Sequence, residues 1–162
     1  MRRMAAVLLT VGWLTCCGCR AAAPPVATGF SCRIEVRSPQ AAFCADLQRG
    51  ARGSLRLCCT EPASLAGLIV TANGGYVTLC EDGKTVTLPQ TTFSEETPFL
   101  WVLRVLDAVA ACDKPTGGTV EGFCGKEAYV LRYDTATGAV TSLTVPEKGL
   151  TVTFSASAPA SG

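Results

Sequence analysis

The chain has 162 residues, of which 48% are hydrophobic and 17% are charged, and this length suits one globular domain. Its 14 Lys and Arg against 13 Asp and Glu give a net charge of only +1, so a nucleic-acid partner is not expected. Histidine is absent from the whole sequence, which excludes a histidine general base, proton relay or metal ligand.

The N-terminus has the three parts of an export signal. Met1, Arg2 and Arg3 form a charged start, an apolar run covers residues 4–14, and small residues with cysteines follow. About eleven apolar residues, at roughly 1.5 Å each, fall well short of the ~30 Å hydrocarbon core of a bilayer. We therefore predict a signal peptide over residues 1–19 rather than a membrane-spanning helix.

The cysteines of WLTCCGC, at positions 13–19, resemble those of a bacterial lipobox. In that motif a cysteine after an apolar residue and two small residues receives a diacylglyceryl group and becomes the new N-terminus. Cys17 and Cys19 are the candidate lipid-attachment residues, with Cys17 slightly favoured. The resemblance implies an exported protein that its N-terminal lipid anchors to the outer face of the cell membrane. Plain secretion after cleavage near Ala23 is the alternative.

Composition divides the rest of the chain into three parts. Residues 20–28, RAAAPPVAT, are small and lack periodicity, which predicts a short flexible tether. The folded domain is predicted over residues 29–155. The small residues at 156–162 are typical of a disordered tail.

Alternation of apolar and polar residues dominates the domain and predicts strands with one buried and one solvated face. In FSCRIEVR, Phe30, Cys32 and Ile34 alternate with polar neighbours. The dipeptides Asn73-Gly74 and Asp82-Gly83 are typical of tight hairpin turns. Similar alternation recurs at 43–47, 55–59, 68–72, 76–80, 84–88, 119–123, 127–133, 139–145 and 150–154.

One segment, TPFLWVLRVLDAVAACDKP, breaks this alternation. Thr97 is a candidate N-cap and Pro98 suits the first turn, so we predict a helix over about residues 98–112. The helix is apolar around most of its circumference, and only Arg104 and Asp107 carry charge. At roughly 24 Å it is a poor membrane span, so we expect protein to enclose it.

The pattern as a whole predicts a mainly β, α+β fold, with a curved antiparallel sheet of about eight or nine strands wrapped around one apolar helix. The lipobox, the tether, the meander with an inserted helix and the turn-rich segment EPASLAGLIVTANGG resemble small exported lipoproteins of the LolA-like or LppX-like half-barrel superfamily. LolA-like proteins carry lipids or lipid-modified proteins in an apolar concavity. The resemblance therefore implies a hydrophobic ligand or a lipidated partner.

Two functional hypotheses follow from this fold. In the first, an apolar ligand or lipid binds in the concave sheet. In the second, the domain is an envelope-tethered structural or protein-interaction module, and the same residues simply fill its core. No nucleophile elbow, paired-carboxylate constellation or phosphate-binding loop occurs, so we predict no enzymatic activity, no cofactor and no metal. The candidate apolar pocket consists of Phe99, Trp101, Leu103, Leu106, Tyr129 and Leu131.

The cysteines beyond the signal form no C-x-x-C pair, so neither a zinc ribbon nor a thioredoxin-type site is indicated. Cys32 and Cys59 fall on predicted buried faces, where we expect reduced thiols. The hairpin that contains Cys44 and Cys58 has two registers compatible with its buried face. In the first, Cys44 faces Cys58 within disulfide range; in the second, it faces Thr60. A Cys44–Cys58 disulfide is therefore predicted for the first register only.

Overall fold

The computed structural model describes residues 29–50, 53–112 and 117–156. The predicted signal peptide and tether, with Cys17 and Cys19, lie outside the described residues, as does the predicted tail except for its first residue, Ala156. The described elements are β1 Phe30–Arg37, β2 Ala42–Arg49, β3 Leu55–Glu61, β4 Ile69–Asn73, β5 Tyr76–Glu81, β6 Lys84–Pro89, α1 Pro98–Ala110, β7 Thr119–Cys124, β8 Glu127–Tyr133, β9 Val140–Val145 and β10 Leu150–Ala156.

All ten strands form one antiparallel sheet in the order β6-β5-β4-β3-β2-β1-β10-β9-β8-β7. The sheet is curved and unclosed, with β6 and β7 as its two edges. The mainly β fold with one helix is confirmed, but the predicted number of strands was too low. Every alternating segment pairs with a neighbour, including β6, which hydrogen-bonds to β5 although almost all of its side chains face solvent.

The helix α1 connects the two edge strands. It begins at Pro98 after the N-cap residue Thr97, as predicted, and ends at Ala110 rather than at residue 112. No helix in the described ranges has both the length and the hydropathy needed to cross a bilayer. The helical side chains that the protein buries are Leu100, Trp101, Val102, Leu103, Val105, Leu106 and Val109.

These helical side chains share one continuous core with the inner faces of the strands. Ile34 on β1 and Leu143 on β9 have no exposed surface. Cys32 and Cys59 are 8% and 5% exposed, so their predicted places in the core are confirmed. The apolar helix is therefore enclosed by protein, as its composition predicted.

The β2–β3 hairpin corrects one prediction. Asp46, and not Cys44, lies opposite Cys58, and a β-bulge beside Cys44 pairs that residue with Glu61 rather than with the Thr60 that the second register predicted. The hydrogen bond from Gly50 N–H to Ser54 O, 2.9 Å long, closes the turn in the second of the two registers. The register that a Cys44–Cys58 disulfide requires is therefore wrong, and both cysteines are free thiols in the structure.

An ion pair fastens α1 to the sheet. Arg49 lies on the inner face of β2 with its side chain only 4% exposed, and its Nη2 donates to Asp107 Oδ1 at 2.7 Å. The Asp107 side chain is 50% exposed, so the pair joins the interior to the surface. The other terminal nitrogen of Arg49, Nη1, is buried and has no partner among the described residues. Asp107 therefore supplies the negative charge that balances the positive charge of the buried Arg49 guanidinium.

We expect Asp107→Ala to lower the free energy of unfolding by about 3 kcal/mol, because it leaves the Arg49 cation buried without its partner. Adding Arg49→Met should recover part of this loss, since the second change removes the buried charge itself. Urea unfolding, followed by the fluorescence of Trp101, measures both effects.

The matched control is Glu35→Ala, which breaks the exposed pair between Arg37 and Glu35. Exposed pairs contribute at most about 1 kcal/mol, so this variant should stay close to the parent. A loss for Asp107→Ala no larger than that of Glu35→Ala would contradict the anchoring role of the ion pair.

Candidate functional site

An apolar cavity of about 470 Å³ lies at the end of the sheet where β1 begins and β10 ends. The turn that joins β8 to β9, residues 134–139, forms its third side. The cavity is lined by Phe30, Ser31, Cys32, Asp134, Thr137, Gly138, Ala139, Val140, Thr141, Phe154, Ser155 and Ala156.

The cavity exists because β10 extends further than its pairing with β9. The last β9–β10 pair is Thr153 with Ser142, whereas the pairing of β10 with β1 continues as far as Ala156. Beyond Thr153, β10 therefore pairs with β1 but no longer with β9. A gap separates this part of β10 from the β8–β9 turn. Phe30 and Phe154 lie on the inner side of the resulting gap.

Asp134 supplies the charge of this cavity. Its Oδ1 accepts hydrogen bonds from the backbone N–H groups of Ala136 at 2.8 Å and Thr137 at 2.9 Å. These bonds, the one from Thr137 first, hold the pKa of Asp134 below its usual value. The carboxylate is therefore ionised at neutral pH.

The structure places the predicted pocket residues elsewhere. Trp101, Leu103, Leu106, Tyr129 and Leu131 are all buried in the core between α1 and the sheet, and Phe99 is partly buried against that core. None of the six lines the apolar cavity. Their role as ligand contacts stays a prediction, and the positions they occupy are those of packed core residues.

Tyr129 shows how closely this core is packed. A Cβ atom added to Gly122, its cross-strand neighbour, would lie 2.7 Å from the Tyr129 hydroxyl oxygen. The tyrosine ring therefore packs directly against the backbone of Gly122 in the edge strand β7. Burial, the largest cause, raises the pKa of Tyr129.

A second cavity, of about 350 Å³, has a polar lining that includes Leu103, Arg104 and Asp107. Arg104 lies over the Trp101 ring, with its Cζ 5.9 Å from the ring centroid. No group of three or more His, Cys, Asp or Glu within residues 29–50, 53–112 and 117–156 is arranged to hold a metal ion.

Sequence reasoning missed the residues of the apolar cavity. Phe30 belonged to the predicted alternation of the first strand, and Phe154 lay in the last predicted strand. The alternation marked Phe30 as inward-facing but could not show where a neighbouring strand would stop. The signal for a cavity lies in the unequal lengths of β9 and β10, which a single strand pattern does not contain.

The thiols differ widely in environment. Burial, with a smaller contribution from the charge of Asp46, raises the pKa of Cys32 to about 11. Burial also raises the pKa of Cys59. Cys112, just beyond the end of α1, is exposed. Reactivity should therefore follow burial, because the thiolate is the reactive form.

With iodoacetamide at pH 8, we expect Cys112 to be alkylated first and Cys32 and Cys59 last. At this pH only roughly one thousandth of Cys32 would be ionised, and its burial slows attack further. Peptide mapping of timed samples measures the order, and the same reaction in urea should remove the difference. Equal rates for Cys32 and Cys112 in the folded protein would contradict the buried position of Cys32.

The described residues define a class of fold, an open antiparallel half-barrel around a single apolar helix. No protein-family model and no curated protein matches the chain. Among solved structures, it is similar to a LolA superfamily protein from Nitrosomonas europaea, with 12% sequence identity and a TM-score of 0.33. The match covers 75% of this chain and 66% of the other, so this chain spans about two thirds of that protein's length.

Proposed function

We propose that the protein binds an apolar ligand, such as the acyl chain of a lipid, in the cavity between β1, β10 and the β8–β9 turn. The observation that carries this proposal is the cavity itself, whose volume of about 470 Å³ falls within the ~300–1,000 Å³ range of small-molecule sites. Phe30, Cys32, Val140 and Phe154 supply apolar contacts, as ligand sites usually require.

The proposal includes export and anchoring through a lipid on Cys17 or Cys19, at the outer face of the cell membrane. Its support is the charged, apolar and cysteine-containing start of the sequence. Phe30, on the cavity wall, follows the predicted tether. An extended chain spans at most about 3.5 Å per residue, so either cysteine would keep Phe30 within roughly 45 Å of the lipid. A membrane lipid would then be the nearest source of ligand.

A second candidate function is an envelope-tethered module that binds another protein. The observation that favours it is the exposure of three large hydrophobic side chains on strands at or beside the sheet edges. Tyr76 on β5 is 56% exposed, Val86 on β6 is 53% exposed and Phe123 on β7 is 73% exposed. Both candidates are binding functions, and neither requires catalysis.

We expect the double substitution Cys17→Ala and Cys19→Ala to remove the lipid and release the protein from the membrane fraction, because no other anchor is proposed. Metabolic labelling with a palmitate analogue and fractionation measure the two effects, and each single substitution identifies the modified residue. Cys16→Ala is the matched control and should leave membrane partitioning intact. Unchanged partitioning of the double variant would contradict lipid anchoring.

We expect lipid to copurify with the full chain and to be lost in Ala139→Trp, because Ala139 lines the cavity and an indole at this position would fill it. The matched control is Ala136→Trp, which puts the same side chain in the same turn at an exposed residue outside the cavity lining. Native mass spectrometry measures the bound ligand. Equal lipid content in the two variants would contradict the cavity as the site, and no lipid in the parent would favour the second candidate.

A further inference from the structure

We infer that the apolar cavity selects amphiphiles whose head group donates hydrogen bonds and carries no negative charge, with an ammonium group bound most tightly. This inference rests on the proposed ligand-binding function and adds to it a class of ligand. It excludes fatty acids and other amphiphiles that bear a carboxylate or phosphate as the preferred ligand.

The inference is based on the charged residues that line the cavity. Its lining contains one carboxylate, Asp134, and neither lysine nor arginine. Two backbone N–H groups bind Oδ1 of Asp134 and favour the ionised form. An ionised carboxylate offers about four lone-pair sites, so acceptor capacity remains for a donor on the ligand.

The other polar atoms of the lining fit the same head group. Ser31, Thr137, Thr141 and Ser155 contribute uncharged residues with hydroxyl groups. The Cys32 thiol stays neutral at physiological pH, because burial raises its pKa to about 11. The lining therefore has a single negative charge, which attracts a cationic head group and repels an anionic one.

The buried cation of the sheet, Arg49, does not alter this balance. Arg49 lies directly opposite Phe30 in the β1–β2 pairing. Its guanidinium, however, is buried and paired with Asp107 at 2.7 Å, and Arg49 is not among the lining residues. An anionic head group beside Asp134 would thus meet repulsion without a compensating cation among the lining residues, which is how a site can discriminate against a ligand.

The test compares decylamine, decanol and decanoate, which share one alkyl chain and differ in charge. Equilibrium dialysis against the full chain carrying Cys17→Ala and Cys19→Ala avoids competition from the protein's own lipid. We expect decylamine to bind about threefold more tightly than decanol, and decanoate to bind more weakly still, because Asp134 is exposed and solvent weakens its charge pair with the ligand.

The decisive variant is Asp134→Asn, because the amide oxygen can still accept from the Ala136 and Thr137 N–H groups while the charge is removed. Decylamine should then bind about threefold more weakly and decanoate more tightly. Asp82→Asn, in the β5–β6 turn at the other end of the sheet, is the matched control and should change neither affinity. The far-UV circular dichroism spectrum of each variant checks that the fold is retained.

The outcomes separate the inference from the proposed function. Equal binding of decylamine and decanoate, or a preference that Asp134→Asn leaves unchanged, would overturn the inference while the cavity remained a ligand site. No binding of any of the three probes would overturn the proposed function itself. A preference for decylamine that Asp134→Asn alone abolishes would support both.

Discussion

The connection between the two edge strands constrains the whole fold. β6 and β7 lie at opposite edges of a ten-stranded sheet, yet they are successive strands in the chain, so the segment between them must cross from one edge to the other. α1 makes this crossing with seven buried side chains and is fixed to the sheet by the Arg49–Asp107 pair. The same helix thus connects the two edge strands and contributes side chains to the core. The helix thus occupies the concave side of the sheet, and the apolar cavity described above lies at the end of the sheet.

Local sequence patterns predicted the strands and the helix well, because the formation of these elements depends largely on neighbouring residues. The alternation in FSCRIEVR coincides with β1, and the apolar run after Thr97 coincides with α1. Arg49 also continued the inward alternation of Ala45 and Leu47, which was a signal for a buried charge. Its partner is 58 positions away in the chain, and no local pattern connects the two residues. The buried ion pair therefore required the three-dimensional structure.

The cysteine register and the apolar cavity show a second limit of sequence reasoning. A buried face determines whether a residue points inward or outward, but two registers of the β2–β3 hairpin satisfy that condition equally. The turn hydrogen bond between Gly50 and Ser54 accompanies the register that is observed. Likewise, Phe30 and Phe154 line the cavity because β9 and β10 diverge after one particular pair. Both features depend on how strands are aligned, which periodicity alone does not specify.

The pairing of β1 with β10 indicates the order in which we expect the sheet to assemble. Every other strand pair joins neighbours in the chain, whereas this pair joins Cys32 to Ala156 near the two ends of the domain. Contacts between distant residues carry a larger loop-closure cost and form late. The two meanders, β1–β6 and β7–β10, should therefore form separately. They should then join through the β1–β10 pair. Because the cavity takes its walls from both sides of the β1–β10 pair, we expect it to be completed late in folding.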